Sequence, residues 1–270
     1  MDFELSDEQV MLREASRDML ADRVTIDRER VDAGADPFDA DLWRLGCGLG
    51  WTGLAVPEPY GGTEQGLAEL VLVSEELGRA AAAGPFVPSA LVARAVARSG
   101  TAALRAQVLP ALADGAAAAT LALAEPGRSG LPEDIGTVAR PADGGYVLDG
   151  VKTAVQDAGN VRLILVTALL GQEPVLLLVD AAAPGVRIRR QECLDLTRAF
   201  CEVRFDGVAV PGDRLLDGGS PAVQLLLDAA CVLTAADALG AMERMLALTV
   251  EHVCTRRQFG RPIGTFQAVK

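Results

Sequence analysis

The sequence predicts an α+β protein: a helical N-terminal domain, then a small antiparallel β domain, then helix again. Apolar side chains recur at helical spacing through the first hundred residues. Short runs of β-forming residues, separated by Gly, Pro and Asp, begin near Thr120. The helical spacing returns after Leu215. We therefore place the domains at 1–118, 119–216 and 217–270.

The N-terminal domain is predicted to consist of several helices. Ser6 precedes Asp7-Glu8-Gln9, the pattern of a capped helix start with acidic residues in the first turn. A second helix begins near Leu42 and ends at a group of glycines, and a third carries leucine and valine at helical spacing from Leu67 to Leu77. Alanine-rich segments at 90–97 and 102–113 complete the helical unit.

The β domain is predicted from short runs rich in Val, Ile, Leu, Tyr and Phe. Turn residues such as Asp206-Gly207 separate or follow these runs. The runs are Tyr146–Leu148, Leu163–Val166, Val175–Val179, Val186–Ile188 and Cys201–Phe205. Beyond them, leucine, valine and methionine between Leu225 and Val250 predict one long helix.

Charge and composition exclude several classes of partner. The net charge is −12 and the pI is near 4.6, whereas nucleic acids and anionic membranes attract basic surfaces. No uninterrupted apolar stretch is long enough to suggest a membrane span, and the acidic N-terminus does not resemble a signal peptide. The five cysteines form no C-x-x-C pair, which is typical of reduced thiols. We expect a cytoplasmic protein.

The most informative stretch is Arg256–Gln267, where Gly260 and Pro262 are expected to end the long helix. It presents arginine, glutamine and phenylalanine beside a chain reversal. Arginine binds pyrophosphate bidentately, an aromatic ring packs on a flat ring system, and glutamine both donates and accepts hydrogen bonds. These residue types suit a planar, phosphorylated ligand. The alternative is a solvated basic helix end beside a turn.

Four separated stretches resemble the acyl-CoA dehydrogenases, which are flavoproteins built as a helical domain, a β domain and a helical bundle. The resemblance therefore implies that the chain ends inside the C-terminal helical bundle. The four stretches are Trp51–Gly62 with Glu75–Gly78, Ala124–Gly127, Leu194–Arg198 continuing into Val203–Pro211, and Arg256–Gln267.

The resemblance implies α,β-dehydrogenation of an acyl-CoA thioester. In this family a carboxylate removes the α proton while the β hydrogen passes as hydride to FAD. The family's counterpart of the Arg256–Gln267 stretch reaches across a dimer interface to the FAD of the neighbouring subunit. The residues expected to bind the cofactor in this way are Arg256, Gln258, Phe259, Ile263, Phe266 and Gln267.

The positions that would hold the chain's own flavin depart from the family pattern. Ala124 stands where the family usually has threonine, and Leu121 stands where it has an aromatic residue. Ala154 replaces a tryptophan that packs near the flavin, and Gln156 replaces a threonine that bonds it. Ser129, one place from a family serine that meets the acyl-CoA chain, is the candidate substrate residue.

No catalytic residue is assigned within this sequence. One group of the family carries its catalytic glutamate on the long helix about seven turns before the arginine, where this chain has Ala230. The other group carries it well after the arginine, beyond Lys270. We also expect no metal site, because His252 is the single histidine and no Cys/His cluster accompanies it.

These features lead to one main hypothesis and two alternatives. The main hypothesis is an acyl-CoA dehydrogenase subunit that completes a flavin site in trans with a homologous partner subunit. The first alternative is a catalytically inert structural subunit of such a complex. The second is a truncated homo-oligomeric dehydrogenase. An acyl-CoA substrate and FAD are expected in either active form.

Overall fold

A computed structural model describes residues 4–24, 37–129 and 131–269. The N-terminal part contains helices α1 to α5, and a long helix α6 follows the sheet. Their bounds are α1 Asp7–Arg23, α2 Ala40–Gly48, α3 Leu67–Ala80, α4 Phe86–Ser99, α5 Ala102–Ala113 and α6 Gly219–Thr255. The predicted capping box is confirmed: Gln9 N donates to Ser6 Oγ at 3.2 Å, and Ser6 N donates to Gln9 Oε1 at 3.1 Å.

The core of the helical domain is organised around Phe86. Its ring stacks on Trp43 with centroids 4.9 Å apart and meets Trp51 edge-on at 5.1 Å. Trp51 is buried, and its indole N–H donates to Ser16 Oγ at 3.0 Å. Because this bond satisfies the one polar atom of the indole, α1 is fixed to the aromatic core without an unpaired donor.

Seven strands form one sheet, in the order β1-β4-β2-β3-β7-β6, with β5 paired to β4. Their bounds are β1 Ala119–Ala122, β2 Val138–Ala142, β3 Gly145–Gln156, β4 Leu163–Leu170, β5 Glu173–Asp180, β6 Val186–Arg190 and β7 Phe200–Pro211. The expected antiparallel pairing holds for β2-β3, β3-β7, β4-β5 and β6-β7. However, β1 and β2 each pair with β4 in parallel, so the sheet is mixed.

Helix α6 lies against α3 at very short range. Ser74 Oγ donates to the carbonyl oxygen of Leu233 at 2.7 Å. Gly78 and Gly240 bring the two backbones together, since a Cβ built at either glycine would overlap the opposite helix backbone. Beyond Gly240 the large apolar side chains of α6 are exposed. The first half of α6 is therefore part of the core and the second half projects from it.

One expectation about the long helix is corrected. By length and composition, Gly219–Thr255 could cross a membrane, although no such segment was expected from the sequence. The few charged residues along the helix interrupt its apolar runs, but the helix as a whole remains long and apolar enough to cross a membrane. A core helix can meet the same criterion, and the first half of α6 includes the buried residues Val223, Leu226 and Leu233.

The fold class predicted from the sequence is confirmed, with helices before and after a central sheet. The domain limits at 118/119 and 216/217 remain a prediction.

Candidate functional site

A short β-hairpin, with two residues in each strand and two in the loop, follows helix α6. The helix ends at Thr255, and strands β8 (Arg257–Gln258) and β9 (Arg261–Pro262) pair antiparallel. Phe259 and Gly260 form the loop, with φ of 51° and 79°. Two positive φ values suit the tight turn of a hairpin. The expectation that Gly260 ends the helix was therefore wrong, because the helix stops earlier and Gly260 instead permits the hairpin turn.

The hairpin is folded back onto the residues that follow it. Ile263 N donates to the carbonyl oxygen of Arg256 at 2.9 Å. The Arg261 guanidinium lies 4.1 Å from the centre of the Phe266 ring, within cation–π range. Phe259 meets Phe266 edge-on at 6.3 Å, yet Phe259 is 93% exposed. The Phe266 ring is thus packed beneath the hairpin, whereas the Phe259 ring is exposed to solvent.

The predicted cofactor residues divide into an exposed set and a supporting set. Arg256, Gln258, Phe259 and Gln267 are exposed, whereas Ile263 and Phe266 are half-buried beneath them. A guanidinium, two amides and a ring facing outward can contact a molecule held by another chain. The chemistry of this exposed set fits a flavin dinucleotide bound from outside, and its assignment as a cofactor site remains a prediction.

A cavity of about 290 Å³ lies between the helices and the sheet. Leu77 of α3 and Leu91 of α4 line one side, and Leu233 of α6 lines another. The sheet contributes several small or aliphatic side chains, so the walls are mainly apolar. The candidate own-flavin positions from the sequence all lie in this wall: Leu121, Ala124, Ala154 and Gln156.

These wall residues lack the flavin contacts that the family's tryptophan and threonine provide at positions 154 and 156. Ala154 has φ of 53°, and its N–H donates to Gln191 Oε1 at 2.9 Å. The Gln156 amide nitrogen donates to the carbonyl oxygen of Gly84 at 3.3 Å and to Asp157 Oδ2 at 3.2 Å. The wall therefore supplies neither an aromatic ring at 154 nor a hydroxyl at 156, and the Gln156 N–H groups are already engaged within the protein.

The cavity also contains an ion pair that the sequence did not reveal. Arg198 Nη2 lies 2.6 Å from Asp237 Oδ1, and both side chains line the cavity. Asp237 lies seven residues after Ala230, and Ala230, Leu233, Thr234 and Asp237 follow the spacing of one helix face. This helical spacing was the sequence signal that could have placed Asp237 on the same face as Ala230. The arginine comes from the distant segment between β6 and β7, so its pairing could not be read from local sequence.

Beside the cavity, a buried ion pair fixes the end of strand β1. Lys152 Nζ donates to Glu125 Oε1 at 2.7 Å, to Thr167 Oγ1 at 2.9 Å and to the carbonyl oxygen of Leu123 at 3.1 Å. The Glu125 carboxylate also accepts the backbone N–H groups of Gly136 and Thr137. These bonds give Glu125 a structural role in the turn after β1.

The charge states of this pair follow from opposing effects. Burial would raise the pKa of Glu125, but the hydrogen bond and charge of Lys152, with the Thr137 contacts, lower it below its ordinary value. Desolvation lowers the pKa of Lys152 to about 8, although Glu125 opposes this change. Both groups are therefore charged at neutral pH.

Ser129 lies outside the cavity lining. Its hydroxyl oxygen accepts the N–H of Leu131 at 3.2 Å, and its own N–H donates to Asp134 Oδ2 at 2.7 Å. The side chain is exposed. Its role in contacting the substrate remains a prediction, and the intervening Gly130 lies outside the described residues.

Ala230, at the position where one group of the family carries its catalytic glutamate, lines the cavity and supplies no proton acceptor. Among the described residues that line the cavity, Asp237 is the one carboxylate, and it is held by Arg198. Within the same described part of the chain, no group of three or more His, Cys, Asp and Glu side chains could hold a metal ion.

Comparison with known families explains the combination of helical domain, sheet and long helix. Residues 6–116 match the acyl-CoA dehydrogenase N-terminal domain, and residues 217–270 match the acyl-CoA dehydrogenase C-terminal domain. The chain therefore belongs to the acyl-CoA dehydrogenase family.

Among individual relatives, benzylmalonyl-CoA dehydrogenase of Aromatoleum aromaticum is 29% identical over all of this chain and 74% of its own length. Among solved structures, a variant of the Tcur3481-Tcur3483 steroid ACAD is 35% identical with a TM-score of 0.86, covering 97% of this chain and 71% of that one. The ChsE4-ChsE5 complex from Mycobacterium tuberculosis is 30% identical with a TM-score of 0.91, covering 99% and 72%.

Proposed function

We propose that this chain is a subunit of an FAD-dependent acyl-CoA dehydrogenase and completes a flavin site held mainly by a homologous partner subunit. The reaction is α,β-dehydrogenation of an acyl-CoA thioester. The observation that carries the proposal is the contrast between two parts of one chain. The hairpin after α6 presents its cofactor-type side chains to solvent, whereas the wall of the chain's own cavity carries Ala124, Ala154 and Gln156.

Each exposed side chain of the Arg256–Gln267 stretch, which includes the hairpin, has a defined task in this proposal. Arg256 binds the anionic pyrophosphate, and Phe259, supported by Phe266, packs on the flat part of the cofactor. Gln258 and Gln267 donate and accept hydrogen bonds at its polar edge. FAD, when bound, supplies the hydride acceptor. Because Ala230 cannot accept a proton and Asp237 is paired with Arg198, we assign the base that removes the α proton to the partner subunit.

Two of the similar solved structures support an assembly of unlike chains. Their names describe a Tcur3481-Tcur3483 enzyme and a ChsE4-ChsE5 complex, and each name contains two components. The relatives are longer than this chain, which spans 68% to 74% of the first three curated relatives. A homologous partner is consistent with the two-component names.

The decisive experiment is co-expression of this chain with homologous acyl-CoA dehydrogenase subunits, followed by measurement of the flavin content and subunit ratio of the purified complex. Arg256→Ala in this chain is expected to weaken flavin binding about 10- to 100-fold, the effect of losing a charged hydrogen-bond donor. Arg189→Ala is the matched control, because Arg189 is an exposed arginine of strand β6. A complex whose flavin content is unaffected by Arg256→Ala would contradict the proposal.

A catalytically inert structural subunit is the second candidate. It is favoured by the absence of an unpaired carboxylate among the described residues lining the cavity, since Asp237 is bound to Arg198. The double variant Gln258→Ala with Gln267→Ala separates the two functions. A contribution to the flavin site predicts lower flavin content and lower turnover of the complex. An inert subunit predicts a change in complex stability with unchanged turnover per flavin.

A further inference from the structure

The cavity opens between the sheet and helix α6. Ala154 on strand β3 and Thr234 on α6 are exposed residues of its lining, and they mark the two sides of the opening. Arg198 and Asp237 also line the cavity, with side chains 26% and 20% exposed. Their ion pair joins the segment between β6 and β7 to α6. It therefore connects the sheet side of the cavity to the helix side at a partly exposed part of the lining.

Both ends of this ion pair are anchored. The backbone of Asp237 lies against Gly78 of α3, where a Cβ would overlap its carbonyl oxygen. On the other side, the segment that carries Arg198 begins at Gln191, whose side chain bonds Ala154 N and Thr153 Oγ1, both at 2.9 Å. Between these anchors the segment is exposed, and Leu194 at its tip is 99% exposed. Arg198 is thus the end of a segment fixed at the opening.

Two polar side chains of the cavity lining, Thr120 and Gln156, are already bonded within the protein. Thr120 Oγ1 donates to the carbonyl oxygen of Gln156 at 2.6 Å, and the Gln156 amide donates to Gly84 and Asp157. Apart from Phe200, Thr234 and the Arg198–Asp237 pair, the remaining wall is aliphatic. A flavin ring carries several hydrogen-bonding atoms along one edge, and burying them without partners is unfavourable. A hydrocarbon group has no such requirement and gains from burial.

We propose that Arg198 and Asp237 form a gate over this cavity, which admits the hydrocarbon part of an acyl group and excludes a flavin ring. This inference rests on the proposed function, because it explains how a chain that contributes to a partner's flavin site keeps its own cavity free of cofactor. Partly exposed ion pairs are weak, so the gate can open without a large energetic barrier.

The test uses the purified chain, alone and in its two-subunit complex, with two uncharged probes. N-phenyl-1-naphthylamine reports entry of an apolar group by fluorescence, and riboflavin reports entry of a flavin ring. Arg198→Ala and Asp237→Asn are expected to raise the association rate of the apolar probe about three- to fivefold, the factor that a partly exposed ion pair allows. Ala230→Leu, which fills the cavity, is expected to weaken probe binding about tenfold.

Arg189→Ala is the control, because it breaks an exposed pair with Glu202 elsewhere on the sheet and should leave probe binding unchanged. The exchange variant Arg198→Asp with Asp237→Arg restores an ion pair and is expected to return the rate toward that of the original chain. This variant guards against reading a folding defect as gate opening. Thermal unfolding of each variant checks the same point.

Three results would overturn the gate: stoichiometric riboflavin binding in the unaltered chain's cavity, equal probe association rates in Arg198→Ala and Arg189→Ala, or unchanged affinity in Ala230→Leu. Failure of the proposed function looks different, because it is read from flavin content in the Arg256→Ala complex. If that complex keeps its flavin while the gate variants alter probe entry, only the trans-flavin proposal fails.

Discussion

At the scale of single residues, the buried pair of Lys152 and Glu125 is important for stability. The Lys152 side chain is 0% exposed and that of Glu125 is 6% exposed. Removing one partner of such a pair leaves a charge buried without compensation, which costs about 3–5 kcal/mol. The pair also holds the loop after β1, through Leu123, Gly136 and Thr137. Its loss should therefore disturb the cavity wall as well as stability.

The corresponding prediction concerns Lys152→Met. We expect this variant to lower the free energy of unfolding by about 3 kcal/mol or more, because Glu125 remains buried without its cation. Urea denaturation followed by circular dichroism measures the change. The double variant Lys152→Met with Glu125→Gln is expected to be less destabilised than the single one, since no buried charge is left. Equal stability of Lys152→Met and the unaltered chain would show that the pair is not structurally important.

A second prediction concerns acid. The pKa of Glu125 in the folded chain lies below its ordinary value of 4.5, so the unfolded chain binds more protons as the pH falls through that range. The stabilisation is complete above pH 4.5 and is lost as the pH falls toward the folded value. Glu125→Gln should therefore flatten the acid limb of the stability curve, measured by thermal unfolding at a series of pH values. Glu133→Gln, at an exposed position, is the control.

The residues of the candidate site differ in how far sequence could predict them. Arg256, Phe259 and Gln267 belong to one short stretch, so their residue types and spacing were visible together. Arg198 and Asp237 are 39 residues apart and meet only through the fold. Lys152 and Glu125 are separated by 27 residues in the same way. Pairings between distant segments depend on tertiary packing, which local patterns do not encode.

At the scale of elements, the crossing of α3 and α6 depends on two glycines. A Cβ at Gly78 would overlap the backbone of Asp237, and a Cβ at Gly240 would overlap that of Glu75. The helices can approach so closely only because neither residue has a side chain. Separating them would disturb the cavity, since Leu77 and Leu233 line it from these two helices.

Gly78→Ala and Gly240→Ala are each expected to lower the free energy of unfolding by about 1–3 kcal/mol, the usual effect of overpacking a tight contact. Gly48→Ala is the matched control, because a Cβ there meets nothing within 4 Å and the residue is helical. That change should have little effect or stabilise slightly, by up to about 1 kcal/mol. Thermal unfolding compares the three variants. A neutral Gly240→Ala would mean that the helices can separate without loss.

The strands show where local pattern succeeds and where it fails. Strands β3 to β7 contain the predicted runs of β-forming residues. Strand β1 lies within the predicted β domain, but it was not predicted as a strand because its sequence, Ala119–Ala122, is rich in alanine and resembles the preceding helices. Strand β2 contains Pro141, which counts against a strand in sequence reading. Both are also the strands that pair with β4 in parallel, a long-range arrangement without a local signal.

At the scale of the whole molecule, the outer half of α6, beyond Gly240, presents an exposed apolar surface. Large apolar residues are exposed there: Met242, Met245, Leu246, Leu248 and Val250. Contiguous apolar surface of this kind usually marks a contact with another protein surface. The order of helix, sheet and helix was predictable from the sequence. Which part of the long helix would be covered was not, because its apolar residues look alike on both sides of Gly240.

We expect the chain, produced alone, to self-associate through this surface. Met242→Glu with Leu246→Glu places two carboxylates on one exposed face and should weaken association at least about tenfold. Sedimentation velocity across a concentration series measures this change. Met11→Glu, at an exposed methionine of α1, is the control and should leave the sedimentation profile unaltered. Identical profiles for all three proteins would mean that the outer half of α6 makes no contact in solution.

Helix α6 also sets a distance. From Thr234 at the cavity to Arg256 at the hairpin there are 22 residues, which at the rise of an α-helix corresponds to about 33 Å. The cavity and the hairpin of one chain therefore cannot grip the same flavin ring. Helix α6 therefore separates two possible contact regions of one chain, the cavity at one end and the hairpin at the other. If the proposed trans site is correct, the flavin content of the complex should follow the number of partner subunits and not the total number of chains.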